Sequence, residues 1–162
     1  MKKIIIALTA ILVSISAIAQ DGKSIYSKYS DMDGVEAVYI SPAMFRIIGK
    51  IPDLNVGDDH VNIVPLLQSM KGFYVINTSK TDIGASLYKD VDSFVKKGEY
   101  ELLLEAKENG EVTRIYTVGT EKIVNGIVLL SRNSSETDFI AIDGQMDRDK
   151  LESVIAEAAK DK

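Results

Sequence analysis

The 162-residue chain has no cysteine and no tryptophan, a single histidine, and only three prolines. Without cysteine it can form no disulfide, thiolate metal site, cysteine nucleophile or haem thioether. The residue after Ala19 is Gln20 rather than an acylatable cysteine, so a lipoprotein anchor is excluded too. His60 alone cannot supply the three or four nitrogen and sulfur ligands of a zinc site. Any Ser-His-Asp triad would have to be built around it. Basic residues are scattered singly or in pairs such as Lys96-Lys97. A phosphate-backbone binder needs a basic stripe and a single-strand binder needs aromatic platforms among its basic residues, so nucleic acid is not an expected partner. Glycine-rich phosphate cradles and the G-x-S-x-G elbow are also missing.

The one long apolar run is at the start. Lys2 and Lys3 precede an apolar stretch from Ile4 to Ile18, and Ala17-Ile18-Ala19 forms an A-x-A box before Gln20. These are the three parts of a secretory signal peptide. The stretch is shorter than the ~20 residues that cross a hydrocarbon core. Residues 1–19 are therefore expected to be removed between Ala19 and Gln20, leaving residues 20–162 as a single α+β domain. The expected location is periplasmic or secreted in a Gram-negative envelope, with no stable membrane anchor after cleavage. Taking 19 residues from 162 leaves 143, and losing Lys2 and Lys3 leaves 17 basic against 24 acidic residues, a net charge of −7. A chain of this size buries enough surface for a core without covalent staples.

Along the mature chain the apolar pattern alternates between helical and strand spacing. Ile25, Tyr26, Tyr29 and Met32 recur at helical intervals until Gly34. Val35 to Ile40 is strand-like, with Val35, Ala37 and Tyr39 on one side. Ser41-Pro42 reads as an N-cap followed by a first-turn proline, opening a helix that Gly49 ends. Residues 52–60 form the longest loop-like stretch. A helix over Val64–Met70 and a buried strand over Phe73–Asn77 follow. Thr81 or Asp82 is expected to cap a helix whose stripe is Ile83, Leu87, Val91, Phe94 and Val95, ended by Gly98.

From Tyr100 the texture changes to four β-rich runs, Tyr100–Ala106, Val112–Val118, Ile123–Leu130 and Phe139–Ile142. Asn109-Gly110 marks a tight hairpin between the first two, and Gly126 suggests a bulge in the third. The chain closes with an amphipathic helix opened by Asp147 or Asp149, with Leu151, Val154, Ile155 and Ala158 inward. This order predicts a two-layer α+β sandwich, a mostly antiparallel sheet with helices packed on one face. The C-terminal strands are expected to form a meander that the last helix covers.

The second half resembles a known family. Gly98-Glu99-Tyr100-Glu101-Leu102-Leu103, Val112-Thr113-Arg114-Ile115-Tyr116, Ile127-Val128-Leu129-Leu130, and Phe139 through Asp143-Gly144-Gln145-Met146-Asp147 look like one exported Bacteroidota family, domain of unknown function four-two-five-two. Lys28-Tyr29-Ser30-Asp31-Met32-Asp33-Gly34-Val35 is similar to its opening segment. The resemblance implies a fold and a cell-envelope setting, and it carries over no catalytic residue.

Ser86-Leu87-Tyr88-Lys89 and Ser93-Phe94-Val95-Lys96 fit S-x-x-K, and Ser131-Arg132-Asn133 fits S-x-N. A penicillin-recognising enzyme also needs a later K-T-G strand, which is absent, and a larger fold. Asp53, Asn55, Asp58, Asp59 and His60 gather possible metal ligands in one loop. As an EF-hand the loop fails, because Asp58 stands where glycine is required and Val64 where a bidentate glutamate is required. Asp53, Asp58, Asp59 and His60 remain weak oxygen-rich candidates for Ca²⁺ or Mg²⁺. Asp143, Asp147 and Asp149 are expected to stabilise the start of the last helix. Glu99, Glu101 and Glu105 alternate and are expected to share one polar strand face. No catalytic residue and no cofactor are assigned. The expectation is a non-catalytic binding or regulatory module whose partner is an envelope protein or other periplasmic component. A carrier of an apolar small molecule and a hydrolase with dispersed carboxylates are the alternatives.

Overall fold

The computed structural model describes residues 21–50, 55–56 and 61–160. The proposed cleavage site at Ala19 and Gln20, and the weak metal candidates Asp53, Asp58, Asp59 and His60, lie outside the described residues. The elements in chain order are α1 (Lys23–Tyr29), β1 (Val35–Ile40), α2 (Pro42–Ile48), β2 (Asn55–Val56), β3 (Val61–Asn62), α3 (Val64–Ser69) and β4 (Met70–Thr78). They continue with α4 (Thr81–Lys97), β5 (Glu101–Glu108), β6 (Glu111–Gly119), β7 (Ile123–Arg132), β8 (Thr137–Asp147) and α5 (Arg148–Lys160).

Six strands form one antiparallel sheet in the order β1-β4-β8-β7-β6-β5, and β2 and β3 pair separately. The four C-terminal strands are thus a meander, as their short connections dictate. Asn109 (φ 49°) and Gly110 (φ 85°) turn β5 into β6, the two left-handed residues that a tight primed turn requires. The chain enters the sheet at β1 and β4, then must reach the opposite edge to begin β5. The 17-residue helix α4 makes that crossing, its length of about 25 Å being enough to pass over the intervening strands.

The helix binds the sheet through the stripe its sequence prescribes. Leu87 and Val91 are fully buried, and Phe94 and Val95 nearly so. They meet Ile76, Val128, Leu130, Phe139 and Ala141 from the sheet, and Ile25 and Tyr29 from α1. The Tyr29 hydroxyl donates to Asp90 on α4 at 2.6 Å, and Lys28 Nζ donates to the same carboxylate. Burial opposes ionisation of Asp90, but these two donors outweigh it and hold its carboxyl below the usual range. At the start of α4 the expected side-chain cap is not made. Lys80 occupies the cap position and no side chain there bonds to the helix. Further back the capping expectation is met, with Ser41 Oγ accepting from Met44 N at 3.3 Å at the start of α2.

On the opposite face, Leu66 of α3 joins Val124 and Met146, with Met70, Ile127, Ile142, Leu151 and Val154 packed around them. The C-terminal helix therefore does bury its stripe on the sheet, from the side opposite α1 and α4. Asp147 Oδ1 caps it by accepting from Lys150 N at 3.1 Å. Ile155, expected inward, is 57% exposed, because the turn of α5 that meets the sheet is centred on Leu151 and Val154.

A candidate cleft built by aligned bulges

The expectation of a bulge near Gly126 understates what occurs there. The register shifts between Val124 and Gly126 where β7 meets β8, and between Val118 and Gly119 where β6 meets β7. It shifts again between Met70 and Gly72 where β4 meets β8. These irregularities line up, because Gly72, Asp143, Gly126 and Val118 form one row across β4, β8, β7 and β6. A bulge inserts a residue and re-aims the side chains beyond it. Here the inserted stretches hold Lys71, Asn125 and Gly144-Gln145, and all four residues line one cleft of about 490 Å³. Asp21, Tyr74, Gly98, Tyr100, Val118 and Asp143 complete its wall.

Asp143 stands at the centre of the row with a glycine on each side. Those glycines make room for tyrosines. A Cβ on Gly72 would lie 2.2 Å from the Tyr74 hydroxyl, and one on Gly126 would lie 2.8 Å from the Tyr100 hydroxyl. Asp143 is only 7% exposed. Its Oδ2 accepts from Gly22 N at 2.8 Å, which fastens the segment leading into α1 to the sheet. Asp143 thus serves the first helix of the domain rather than the last, contrary to the sequence expectation. Burial pushes its carboxyl up to about 6, backbone donors at Gly22 and Lys23 resist the shift, and the charge of Asp21 adds to it. Burial first, and then the charges of the same two carboxylates, push the hydroxyls of Tyr74 and Tyr100 well above the usual phenol range. Tyr74 is 3% exposed, and its ring stacks on Tyr39 with centroids 5.2 Å apart.

The other sequence candidates do not converge on this cleft. Ser86 and Ser93 lie on α4, and among the described residues neither bonds to Lys89 or Lys96. Lys96 pairs instead with Asp92 at 2.7 Å. Ser131 Oγ donates to Glu111 at 2.9 Å at the far end of the sheet. Among the described residues no group of three His, Cys, Asp or Glu is placed to hold a metal ion. The three glutamates do not share a face. Glu99 precedes the strand with φ 56°, and a register shift between Leu102 and Leu104 pairs Glu101 with Thr117 but Glu105 with Arg114. Thr117 and Arg114 are three residues apart on β6, so their side chains point to opposite faces. Glu105 is held by Arg114 Nε at 2.7 Å and Lys107 Nζ at 2.8 Å.

A second feature lies at the sheet edge. All eight residues of β5 are exposed, and Leu102, Leu103 and Leu104 are 52%, 58% and 45% accessible. Leu104 also ends a row of aliphatic side chains crossing the whole sheet, Val38, Val75, Ile140, Leu129, Ile115 and Leu104. That row lies on the face opposite α1 and α4 and measures about 24 Å at ordinary strand spacing.

Among curated proteins and solved structures no match to this chain is found. Comparison with protein families gives one, described as Domain of unknown function (DUF4252), over residues 29–154. The matched span runs from the end of α1 to the middle of α5 and includes the whole six-stranded sheet, so the chain belongs to the DUF4252 family.

Proposed function

We propose that the protein is an exported, non-catalytic binding module of the cell envelope that takes a protein partner along the open edge of β5. The observation that carries this reading is the exposure of three consecutive leucines on an edge strand whose outer side is unpaired among the described residues. Soluble proteins guard such edges, because the free backbone groups template pairing with another chain. Strand addition uses those groups for affinity and the alternating side chains for selection. The charged residues around the leucines, Glu101, Glu105, Lys107 and Glu108, keep the edge soluble when it is empty. The adjoining aliphatic row gives an added strand an apolar floor on one face.

The alternatives find less support. The 490 Å³ cleft carries Asp21, Lys71, Asn125, Asp143 and Gln145 on a mixed wall, and those charged and amide groups would be left without partners by a purely apolar ligand. A hydrolase with paired carboxylates would leave both free to act, whereas Asp143 is engaged by the backbone of Gly22. A photo-crosslinking residue at position 103, introduced in cells that export the protein, tests the proposal. The expected result is a discrete adduct with a different envelope protein, lost when Leu104→Lys is added. Adducts confined to a second copy of this chain, or none at all, would overturn it.

A further inference from the structure

We propose that the cleft formed by the bulges is a binding site for a small molecule carrying a primary ammonium group. The row Gly72-Asp143-Gly126 sets a carboxylate between two glycines, each overlain by a tyrosine hydroxyl. Among the described residues, the hydroxyls of Tyr74 and Tyr100 make no hydrogen bond. Tyr74 is 97% buried, and its polar end faces the cleft. Among the described residues no buried side-chain polar atom lacks a partner, so this phenol oxygen is open to the cleft rather than sealed away. Placing two such oxygens against one carboxylate, with Asp21 beside it, concentrates oxygen acceptors in one spot. An ammonium group has three donors and no acceptor, which matches the Asp143 carboxylate and the two hydroxyl oxygens. Neutral and anionic ligands fit less well, since the two carboxylates leave the inner wall negative. Lys71 stands on an inserted residue, and with Asn125 and Gln145 it is free to meet the rest of the ligand.

The aligned bulges make this more than a chance depression. An uninterrupted pleat would alternate Lys71, Asn125 and Gln145 with their neighbours across the two faces. Three separate register shifts bring them to one cleft, the kind of re-aiming that bulges perform at functional sites. The cleft does not involve the β5 edge, so it stands or falls independently of the partner-binding proposal.

Titration of the mature protein with 1,4-diaminobutane at constant ionic strength, followed by the ring resonances of Tyr74 and Tyr100, tests the site. Butane-1,4-diol and succinate serve as the neutral and anionic counterparts, and glycerophosphoethanolamine presents the same ammonium as a lipid headgroup does. Saturable shifts are expected for the diamine or the ethanolamine compound with Kd at or below about 1 mM, the tighter of the two identifying the source. Asp21→Asn should weaken that binding at least about tenfold, and Tyr74→Phe should weaken it while the fold, checked by circular dichroism, is kept. The proposal is overturned if the diol or succinate binds as well as the amines. It is also overturned if no amine saturates below about 10 mM, or if Asp21→Asn leaves amine affinity unchanged.

Discussion

Replacing Asp143 by asparagine should change how stability depends on pH more than it changes stability itself. The Asp143 carboxyl titrates at about 6 in the folded protein against an ordinary 3.8, chiefly because burial disfavours its charge. Between those values the folded state holds a proton that the unfolded state releases. Stability from this group is therefore greatest below the unfolded value and falls as pH rises toward 6, above which it is level. A displacement of about two units corresponds to a loss of about 3 kcal/mol across that window. Asp21, Lys71, Tyr74 and Tyr100 share the cleft. The two tyrosine hydroxyls, held well above the usual phenol range, stay protonated throughout the window, so the pH dependence argued here is that of the Asp143 carboxyl. Asp90 and Glu105 act in the opposite sense. Their carboxyls are held below the usual range, so their contributions are present above the unfolded value and fade as pH falls through the folded one.

Asparagine keeps an oxygen that can accept from Gly22 N and removes the titrating group. Urea unfolding at about pH 4.5, 5.5 and 7 should show the wild type losing stability from about 4.5 up to about 6 and little beyond it. The variant should lack that component, and so exceed the wild type most at neutral pH. Parallel profiles for the two proteins would refute the reasoning, since they would mean that Asp143 titrates alike in both states.

Phe94→Ala should cost about 3–5 kcal/mol, the usual range for losing a buried aromatic side chain. Ser86→Ala on the exposed side of the same helix should move stability by less than about 0.5 kcal/mol. Chemical denaturation measures both, and labelling of Ser86 or Ser93 by a β-lactam probe would contradict the structural role given to the helix. Mass spectrometry of the exported protein should find Gln20 as its first residue, and retention of residues 1–19 would refute that assignment.

Much of the architecture was legible because it rests on local chemistry. Ser41-Pro42 starts a helix, Asn109-Gly110 makes a turn, and Leu87, Val91 and Phe94 form a stripe whatever surrounds them. The site was not legible, because its parts meet only through register. Asp143 finds its partner at Gly22, 121 residues away, and nothing near it in sequence announces that. Its neighbours Asp147 and Asp149 made a role at the last helix the natural local reading. Glu101 and Glu105 share a face by strict alternation, which is the default until a bulge such as that between Leu102 and Leu104 breaks it. Only Gly126 hinted at the irregularity, and one glycine could not reveal that three strand pairs are offset together.

That shared offset explains why the two faces of the sheet differ where the cleft lies. A strand that gains one residue exchanges its faces beyond the insertion. Val128 points toward α4, and an unbroken alternation would send Val124 the same way. The shift between Val124 and Gly126 turns Val124 to the other side, where it meets Leu66 and Met146 beneath α3 and α5. Met146 and Met70 lie beyond the matching shifts on β8 and β4 and join the same cluster. The insertion that leaves Lys71, Asn125 and Gln145 on the cleft therefore also supplies the apolar bed for the C-terminal helix. The two cannot be altered separately. Deleting one inserted residue to flatten the cleft would turn an aliphatic side chain out from under α5, so loss of the site by that route would carry loss of the helix with it. Side-chain substitutions such as Asp21→Asn leave the backbone offset in place, which makes them the discriminating probes of what the cleft binds.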